Sequence, residues 1–305
     1  MTAPSVEITD LLVDLDPATG ARRPVRRDEV EHRLLAAGQT RAARAVRQLP
    51  AAGGVLDDEY VDRFLVAVHC EIQRLSEEFR HGARMAALID PMLTALRERG
   101  VPGPYRVVDI GCGTGYVVRW LCRNASQPDV EYVGVDHHEA LVREAARLAR
   151  IEELNCRFVA ADAFALRDPA PILISTGVLH HFPASDLGRF FASHESATTV
   201  GYVHVDFQPS RIGPLGAWVF HRARMRLPIA RHDGVESARR AHAPELIGEA
   251  ATTHAPSFQN WLLGQRVRHT TLPCVLTSLI GVRRDLATET AAAFGRRARS
   301  LEAVA

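Results

Sequence analysis

The sequence feature that most constrains the fold is an apolar run that leads straight into a glycine-rich turn. The run covers residues 107–110 and the turn covers residues 111–115, which read G-C-G-T-G, before a helical stretch begins at Tyr116. Glycines in such a turn let the backbone bend sharply and let a ligand approach where no Cβ stands in the way. A strand, a glycine turn and a helix in this order predict a parallel α/β sheet with a ligand at the turn.

The turn differs in two ways from the glycine fingerprint of dinucleotide-binding folds. Its spacing, G-x-G-x-G, is one residue tighter than G-x-G-x-x-G, and Asp109 stands two residues before the first glycine. A carboxylate at this point repels a pyrophosphate, whereas it attracts a ligand that carries an ammonium and a sulfonium group. S-Adenosyl-L-methionine is such a ligand, so the pattern favours it over a nicotinamide dinucleotide.

From Tyr105 onward, short β-branched runs alternate with helical stretches, which predicts βαβ units and a parallel sheet. The expected strands are Arg106–Ile110, Glu131–Val135, Cys156–Ala160, Ile172–Ser175, Thr199–Val205, Phe258–Leu263 and Leu276–Val282. The expected helices are Tyr116–Asn124, His138–Ile151, Ser185–His194 and one near Pro244–Ala251.

The first hundred residues are predicted to be helical. Apolar residues recur at three- and four-residue steps from Val61 to Phe79 and again from Met85 to Leu96, which is the spacing of one buried helix face. We therefore expect a helical cap over the substrate at 1–100, a cofactor-binding domain at 101–284 and a frayed helical tail at 285–305. The segment 208–242, which has no clear periodicity, is expected to be a substrate-side insertion.

Two further acidic positions follow expected strands. Asp136 ends the second strand in V-G-V-D, and Asp162 follows the third in F-V-A-A-D-A. Together with the glycine turn, these positions resemble class I S-adenosyl-L-methionine-dependent methyltransferases of the small-molecule type, over roughly residues 101–284. The resemblance implies a Rossmann-like seven-stranded sheet with the order 3-2-1-4-5-7-6 and S-adenosyl-L-homocysteine as the product.

The resemblance also implies the role of each cofactor-site residue. The acid and the glycine turn would hold the methionine part, the second acid the ribose hydroxyls, and the third acid the adenine. Each acid taken alone also fits a helix N-cap or a solvated turn. The full set expected to bind the cofactor is Asp109, Gly111, Cys112, Gly113, Gly115, Asp136, His137, Asp162, Ala163, Thr176 and Arg84.

The candidate catalytic residues follow the fourth strand in the sequence L-H-H-F. This loop resembles that of small-molecule methyltransferases and differs from the Asn/Asp-Pro-Pro-Tyr/Phe loop of enzymes that methylate nucleic-acid bases. His181 or His180 can accept a proton from a nucleophile, because imidazole titrates near neutral pH. The alternative is that His180 packs as a core histidine and His181 only shapes the pocket.

No metal site is expected. Neighbouring residues His137 and His138 point in opposite directions on an extended strand end, so they cannot easily share one ion. Asp206, at the end of the fifth strand, is either a substrate-facing acid or half of a metal site, but no second ligand stands at a diagnostic spacing.

The segment 208–242 has a local excess of positive charge, with seven arginines against Asp233 and Glu236. One interpretation is a lid that clamps an anionic, partly apolar substrate through bidentate arginine contacts. The other is a solvated basic helix with an apolar underside.

Composition narrows the function classes. The basic residues include no lysine, which excludes Schiff-base enzymes and phosphate-loop NTPases. A net charge of +1 argues against a general nucleic-acid binder. Five cysteines without a C-x-x-C pair indicate a reducing compartment. With no signal peptide and no apolar run long enough to cross a bilayer, we expect a cytoplasmic protein without a membrane partner.

The sequence thus predicts an enzyme that methylates oxygen, nitrogen or carbon of a small molecule, in keeping with a role in secondary metabolism. Two alternatives stay open: a protein that binds the cofactor without transferring the methyl group, or acts as a binding module, and a nicotinamide-dependent oxidoreductase. A homodimer is also open.

Overall fold

The computed structural model describes residues 5–16, 19–125, 127–164, 171–265 and 275–304. Cys274 lies outside these residues. The described helices are, in chain order, α1 Arg27–Ala36, α2 Thr40–Val46, α3 Asp58–Glu78, α4 His81–Glu98, α5 Tyr116–Asn124, α6 Glu139–Ile151, α7 Ala184–Ala192, α8 Gly213–Arg224, α9 Pro228–Arg240, α10 Pro244–His254 and α11 Ala287–Ala293. The described strands are β1 Asp14–Leu15, β2 Arg22–Arg23, β3 Ala51–Ala52, β4 Val55–Leu56, β5 Tyr105–Ile110, β6 Val130–Asp136, β7 Arg157–Ala160, β8 Ile172–Thr176, β9 Gly201–Phe207, β10 Phe258–Gln265, β11 Leu276–Arg283 and β12 Glu302–Ala303.

The described residues divide into two compact units. The first consists of the chain up to Leu75 together with Ser210–Arg240, and the second of Ser76–Pro209 together with the chain from Ala241. The boundary falls inside α3 and therefore differs from the expected cap boundary near residue 100. The reason is that α4 belongs to the second unit, because its apolar residues Met85 and Met92 lie in the same core as β5 and β9.

The first unit is mostly helical. Its core brings together Val30 and Leu34 of α1, Leu65 of α3 and Ile229 of α9. The segment 208–242, for which the sequence shows no periodicity, contains the two helices α8 and α9 in this unit. Buried polar contacts fix α9, since the Asp233 carboxylate accepts hydrogen bonds from the backbone N–H groups of Ile8 (2.8 Å) and Thr9 (2.9 Å).

The second unit is built on one large sheet, which has eight strands within the described residues, in the order β12-β10-β11-β9-β8-β5-β6-β7. The strands from β7 to β9 are parallel, and β10, β11 and β12 are antiparallel to their neighbours. Apart from the short edge strand β12, this is the expected order 3-2-1-4-5-7-6. The predicted Rossmann-like fold is confirmed.

Successive residues of β5 show how the sheet is buried on both faces. Val107 lies in one apolar core with α4 and α5, whereas Val108 lies in the other with α7 and α10. A strand that is covered on both sides reads as a continuous apolar run. This places the carboxyl end of β5, and hence the glycine turn, at the edge of two packed layers.

The expectation of a frayed tail at 285–305 is wrong. Leu286 and Phe294 are buried in the core that contains α4. The strand β12 then pairs with β10, with Ala303 opposite Trp261. None of the described helices is long and apolar enough to cross a bilayer.

Candidate functional site

The glycine turn connects β5 to α5 and depends on left-handed backbone conformations. Gly111, Gly113 and Gly115 have φ values of +67°, +54° and +75°. L-residues with a side chain rarely adopt these values, so the turn needs glycine at all three positions. The N–H of Gly115 donates to the carbonyl of Cys112 at 2.8 Å, which closes the turn before α5 begins.

Close packing adds a second requirement at two of these glycines. A Cβ on Gly115 would lie 2.4 Å from a ring carbon of Phe158 on β7, and a Cβ on Gly111 would lie 2.7 Å from Val178. Both distances are shorter than any van der Waals contact. The turn is therefore held tightly against β7 and against the loop that follows β8.

Asp136, at the end of β6, ties that strand to the turn. Its Oδ2 accepts a hydrogen bond from the N–H of Gly113 at 2.9 Å, and its Oδ1 accepts one from the N–H of His138 at 2.9 Å. The side chain is buried. The structure thus brings two of the predicted cofactor residues, Asp136 and Gly113, into direct contact, although they are distant in sequence.

Asp109 is a buried acid whose Oδ1 has no hydrogen-bond partner among the described residues. Burial, and then the charge of Asp136, raise the pKa of this carboxyl well above its ordinary value. A buried acid of this kind is costly unless a donor or a cation meets it. The position therefore suits a ligand that carries positive charge.

Cys112 links the turn to β6 through its backbone and packs its side chain against that strand. Its N–H donates to the carbonyl of Val135 at 3.0 Å, and its Sγ lies 2.8 Å from where a Cβ of Gly134 would be. Burial, and then the charges of Asp136 and Asp109, raise the pKa of the Cys112 thiol well above its ordinary value. A raised pKa favours the neutral thiol over the thiolate.

The loop after β8 places His180 against Asp206 of β9. The His180 Nδ1 lies 2.7 Å from Oδ1 of Asp206, and the His180 backbone N–H donates to Oδ2 at 3.0 Å. Both side chains are buried. Burial by itself raises the pKa of Asp206, but His180 and the N–H groups around the carboxylate outweigh it and hold that pKa below its ordinary value.

His181 differs from its neighbour in exposure. It is only half-buried, and its ring centroid lies 4.4 Å from that of His180. Of the two predicted catalytic histidines, His180 is therefore fixed by an acid and His181 is the more accessible. Their catalytic role stays a prediction.

Sequence reasoning missed His81, the first residue of α4. Its ring is buried, and neither ring nitrogen has a hydrogen-bond partner among the described residues. Burial and the charge of Arg84 lower the pKa of His81 to about 4, although the charge of Asp206 acts in the opposite direction. No local motif marks such a residue, because its burial depends on packing and the charge of Asp206 acts from β9, more than a hundred positions away.

The remaining residues predicted to bind the cofactor are less buried than Asp109 and Asp136. Arg84 donates from Nε to the carbonyl of Phe79 at 2.6 Å. His137 is largely exposed, with Nδ1 3.5 Å from Oδ1 of Asp136. Asp162 is exposed and accepts a hydrogen bond from the N–H of Phe164 at 2.9 Å.

Two more of these residues lie beside the sheet. Ala163 is half-buried and packs against the core that contains α7 and α10. Thr176 ends β8, half-buried, opposite Val205. The contribution of Ala163, Thr176, Arg84, His137 and Asp162 to cofactor binding stays a prediction.

Residues 107–201, which include the glycine turn, Asp136 and both candidate histidines, match the family model described as a methyltransferase domain. This part of the chain is similar to methyltransferase domains. The resemblance inferred from the turn and its two following acids is thereby confirmed.

Two curated proteins also match part of the chain. Trans-aconitate 2-methyltransferase of Pseudomonas paraeruginosa is 34% identical over 93 residues, which cover 30% of this chain and 31% of the relative. The enzyme of the same name from Pseudomonas aeruginosa is 39% identical over 80 residues, which cover 25% of this chain and 26% of the relative. The matches thus span at most about a third of these relatives' length.

One solved structure shows the same fold across most of both chains. The plantazolicin methyltransferase BpumL, in complex with SAH, has a TM-score of 0.51 and 13% sequence identity, and the alignment covers 75% of this chain and 91% of that one. At this identity the likeness concerns the fold alone. It agrees with the Rossmann-like fold described above for the second unit.

Proposed function

We propose that this protein binds S-adenosyl-L-methionine at the turn between β5 and α5 and transfers its methyl group to a small-molecule acceptor, releasing S-adenosyl-L-homocysteine. The observation that carries the proposal is Asp109, a buried acid with an unpartnered oxygen beside three glycines in left-handed conformations. An ammonium or sulfonium group compensates such an acid. A pyrophosphate does not.

The residues of the turn and of the end of β6 bind different parts of the cofactor. Asp109 and the backbone of Gly111 and Gly113 hold the methionine part, and Asp136 holds the ribose. Because Asp136 already accepts two backbone hydrogen bonds, its carboxylate is fixed in place before a ligand arrives. Such preorganisation reduces the entropy lost on binding.

The chemical step needs little from the protein beyond positioning. The bound cofactor supplies a methyl group that its sulfonium makes electrophilic. The protein orients the nucleophile and excludes water. Where the nucleophile must lose a proton, His181 or His180 accepts it, and Asp206 fixes the ring of His180 for that purpose.

We further propose that the acceptor is a small anionic molecule. The curated relatives are named for trans-aconitate, which is a carboxylate, and residues 208–242 have five more arginines than acids. Arg239 pairs with Glu236, and Arg240 pairs with Glu7 and Asp10. The net positive charge of the segment favours an anionic acceptor over a cationic one.

Calorimetric titration tests the cofactor assignment. We expect S-adenosyl-L-homocysteine to bind and NAD not to bind, and Asp136→Ala to weaken binding by about tenfold to a hundredfold, the value of one or two hydrogen bonds to a charged group. Asp129→Ala is the matched control, because this half-exposed acid forms an ion pair with Arg97 and directly precedes β6, at the opposite end of that strand from Asp136. Equal affinity of the two variants, or binding of NAD instead, would overturn the assignment.

A panel of acceptors tests the reaction. The protein is incubated with S-adenosyl-L-methionine and with tricarboxylic acids, or with their uncharged amides, and release of S-adenosyl-L-homocysteine is followed. We expect turnover with carboxylated acceptors and none with the amides. Tight cofactor binding without methyl transfer to any acceptor would instead favour a protein that uses the cofactor for another purpose.

A further inference from the structure

The outward face of α8, in the first unit, is apolar and exposed. Ile212 precedes the helix, and Leu215, Trp218 and Val219 lie on it, and each exposes more than half of its surface, with Leu215 at 63%. Their three- and four-residue spacing places them along one side of the helix. Single exposed apolar residues are ordinary in proteins, but a contiguous set of four marks an interaction surface.

The other side of α8 is firmly held. His221 is buried, and its Nε2 lies 2.1 Å from where a Cβ of Gly234 would be, so the helices α8 and α9 touch across that glycine. The carboxylate of Asp233 in turn anchors α9 to the backbone of Ile8 and Thr9. The apolar face is thus presented by a well-packed helix and does not arise from a frayed one.

Positive charge surrounds this face. Residues 207–232 contain five arginines and no acidic residue. Three of these arginines are exposed: Arg211 directly precedes Ile212, Arg222 follows Val219 by three residues on the helix, and Arg226 lies just beyond its end. Glu71 of α3 accepts hydrogen bonds from the backbone N–H groups of Arg226 and Leu227. An occupant of the surface must therefore be both apolar and anionic.

The apolar surface and its positive charge decide among three possible binding partners: a second copy of the chain, another protein and a lipid bilayer. A second copy of the chain would bring Arg222 and its neighbours against the same arginines, with no acid on α8 to compensate them. A protein partner needs a larger area, because twelve residues of helix are only about 18 Å long. A bilayer surface requires no matching shape, accepts tryptophan at the headgroup level and attracts arginine when its lipids are anionic.

We propose that α8 is an interfacial helix through which the protein binds the surface of membranes that contain anionic phospholipids. Ile212, Leu215, Trp218 and Val219 enter the boundary between headgroups and acyl chains, and the arginines contact phosphates. Such binding requires no helix that crosses the bilayer. The inference goes beyond the proposed methyl transfer and does not depend on it.

Vesicle binding tests the proposal directly. The full chain is mixed with vesicles of phosphatidylcholine alone, or of equal parts phosphatidylcholine and phosphatidylglycerol, and the bound fraction is measured by flotation. We expect binding to the mixed vesicles that weakens with added salt, because anionic headgroups are screened. We also expect a blue shift of tryptophan emission, since Trp218 is the most exposed of the three tryptophans.

Two matched variants distinguish binding through this surface from nonspecific adsorption of the protein to vesicles. Leu215→Glu introduces a charge into the apolar face and is expected to reduce vesicle binding by about tenfold or more, because it removes apolar area and repels anionic lipid. Ile151→Glu is the control, since Ile151 is as exposed, at 65%, but stands alone at the end of α6. Both variants should keep the far-ultraviolet circular dichroism spectrum and the urea unfolding midpoint of the original protein, which shows that they fold.

Three results would overturn the proposal. One is the absence of binding to the mixed vesicles, and another is an equal loss in Leu215→Glu and Ile151→Glu. The third is a concentration-dependent dimer in sedimentation that Leu215→Glu abolishes, because a second copy would then cover the face. A failure of methyl transfer with normal vesicle binding would count only against the proposed function.

Discussion

His180 and Asp206 form a buried pair that joins the loop after β8 to the end of β9. The acid meets both the ring and the backbone of the histidine, at 2.7 Å and 3.0 Å. This double contact fixes the position and the rotation of the imidazole together. A histidine oriented by an acid in this way is suited to proton transfer.

The first prediction concerns this pair. Asp206→Asn keeps the shape of the side chain but removes its charge, and His180→Gln removes the ring. With an acceptor found by the panel above, we expect each variant to lower kcat by about a hundredfold or more, as for loss of a general base. The double variant should be no slower than the single variants, because the two residues act as one unit.

Cofactor affinity and folding serve as the controls for that experiment. Both variants should bind S-adenosyl-L-homocysteine like the original protein, and Asp129→Asn should leave kcat unchanged. Additive losses in the double variant would show that Asp206 does not act through His180. A loss of cofactor binding would assign the pair a structural role instead.

The second prediction concerns proton release at Asp109. Because burial raises the pKa of this acid in the free protein, it is protonated over a wider pH range than an ordinary carboxyl. A cationic ligand beside it lowers that pKa again, so binding releases a proton. Affinity for S-adenosyl-L-methionine should then rise with pH by up to about tenfold per unit, and level off once the free protein has lost the proton.

Calorimetry in two buffers of different ionisation enthalpy measures the released proton. Asp109→Asn cannot ionise and should show neither the release nor the pH dependence. Proton uptake, or the same behaviour in both proteins, would contradict the role given to Asp109.

The third prediction separates strain from crowding at the glycine turn. Gly115→Ala meets both a φ of +75° and a Phe158 ring 2.4 Å away, whereas Gly100→Ala meets a similar φ of +72° with no atom within 4 Å. We expect Gly100→Ala to lower the free energy of unfolding by about 1 kcal/mol, from backbone strain alone. Gly115→Ala should lower it by about 1–3 kcal/mol more, because the ring must move.

Urea unfolding of both variants measures this difference. If Gly115→Ala and Gly100→Ala lowered the free energy of unfolding equally, the Phe158 ring would move aside at no energetic cost. The contact between the turn and β7 would then contribute nothing to the shape of the site.

The fourth prediction concerns acid sensitivity at His81. Its pKa is about 4 in the folded protein and about 6.5 in the unfolded chain. Between these values the unfolded state binds a proton that the folded state does not. The free energy of unfolding therefore has its full value above about pH 6.5 and declines as the pH falls towards 4. The decline amounts to about 1.4 kcal/mol per pH unit for one such histidine.

His81→Phe keeps a buried ring and removes the titration. We expect the free energy of unfolding to fall less steeply on acidification, by about 1.4 kcal/mol per pH unit over this range, in urea titrations at several pH values. His137→Phe is the control, because His137 is largely exposed, and it should leave the slope unchanged. An unchanged slope in His81→Phe would show that His81 is solvated and titrates normally.

The elements of the second unit follow closely from local sequence. Tyr116–Asn124 is predicted and observed with the same bounds, and β5 begins one residue before its predicted start. These elements bury their apolar residues, so the period of the hydrophobic pattern reports the structure directly.

The two helices of the segment 208–242 show where that reasoning fails. On α8 the apolar residues Leu215 and Trp218 face outward and His221 is buried, so the pattern is inverted. On α9 the buried residues include Asp233 and Glu236, and each of them has a hydrogen-bond partner more than two hundred positions away. Periodicity assumes that burial follows hydrophobicity, and here it does not.

For the site, the sequence by itself determined the glycine turn and the position of Asp136 at the end of the following strand, because left-handed backbone conformations and strand ends leave local signatures. Only the tertiary structure decided that Asp206 holds His180 and that His81 is buried within reach of the charge of Asp206. It also decided that Oδ1 of Asp109 has no hydrogen-bond partner within the part of the chain that the structure describes. Those relationships depend on strand order and on burial, which bring distant residues together in a low dielectric. No local spacing encodes them.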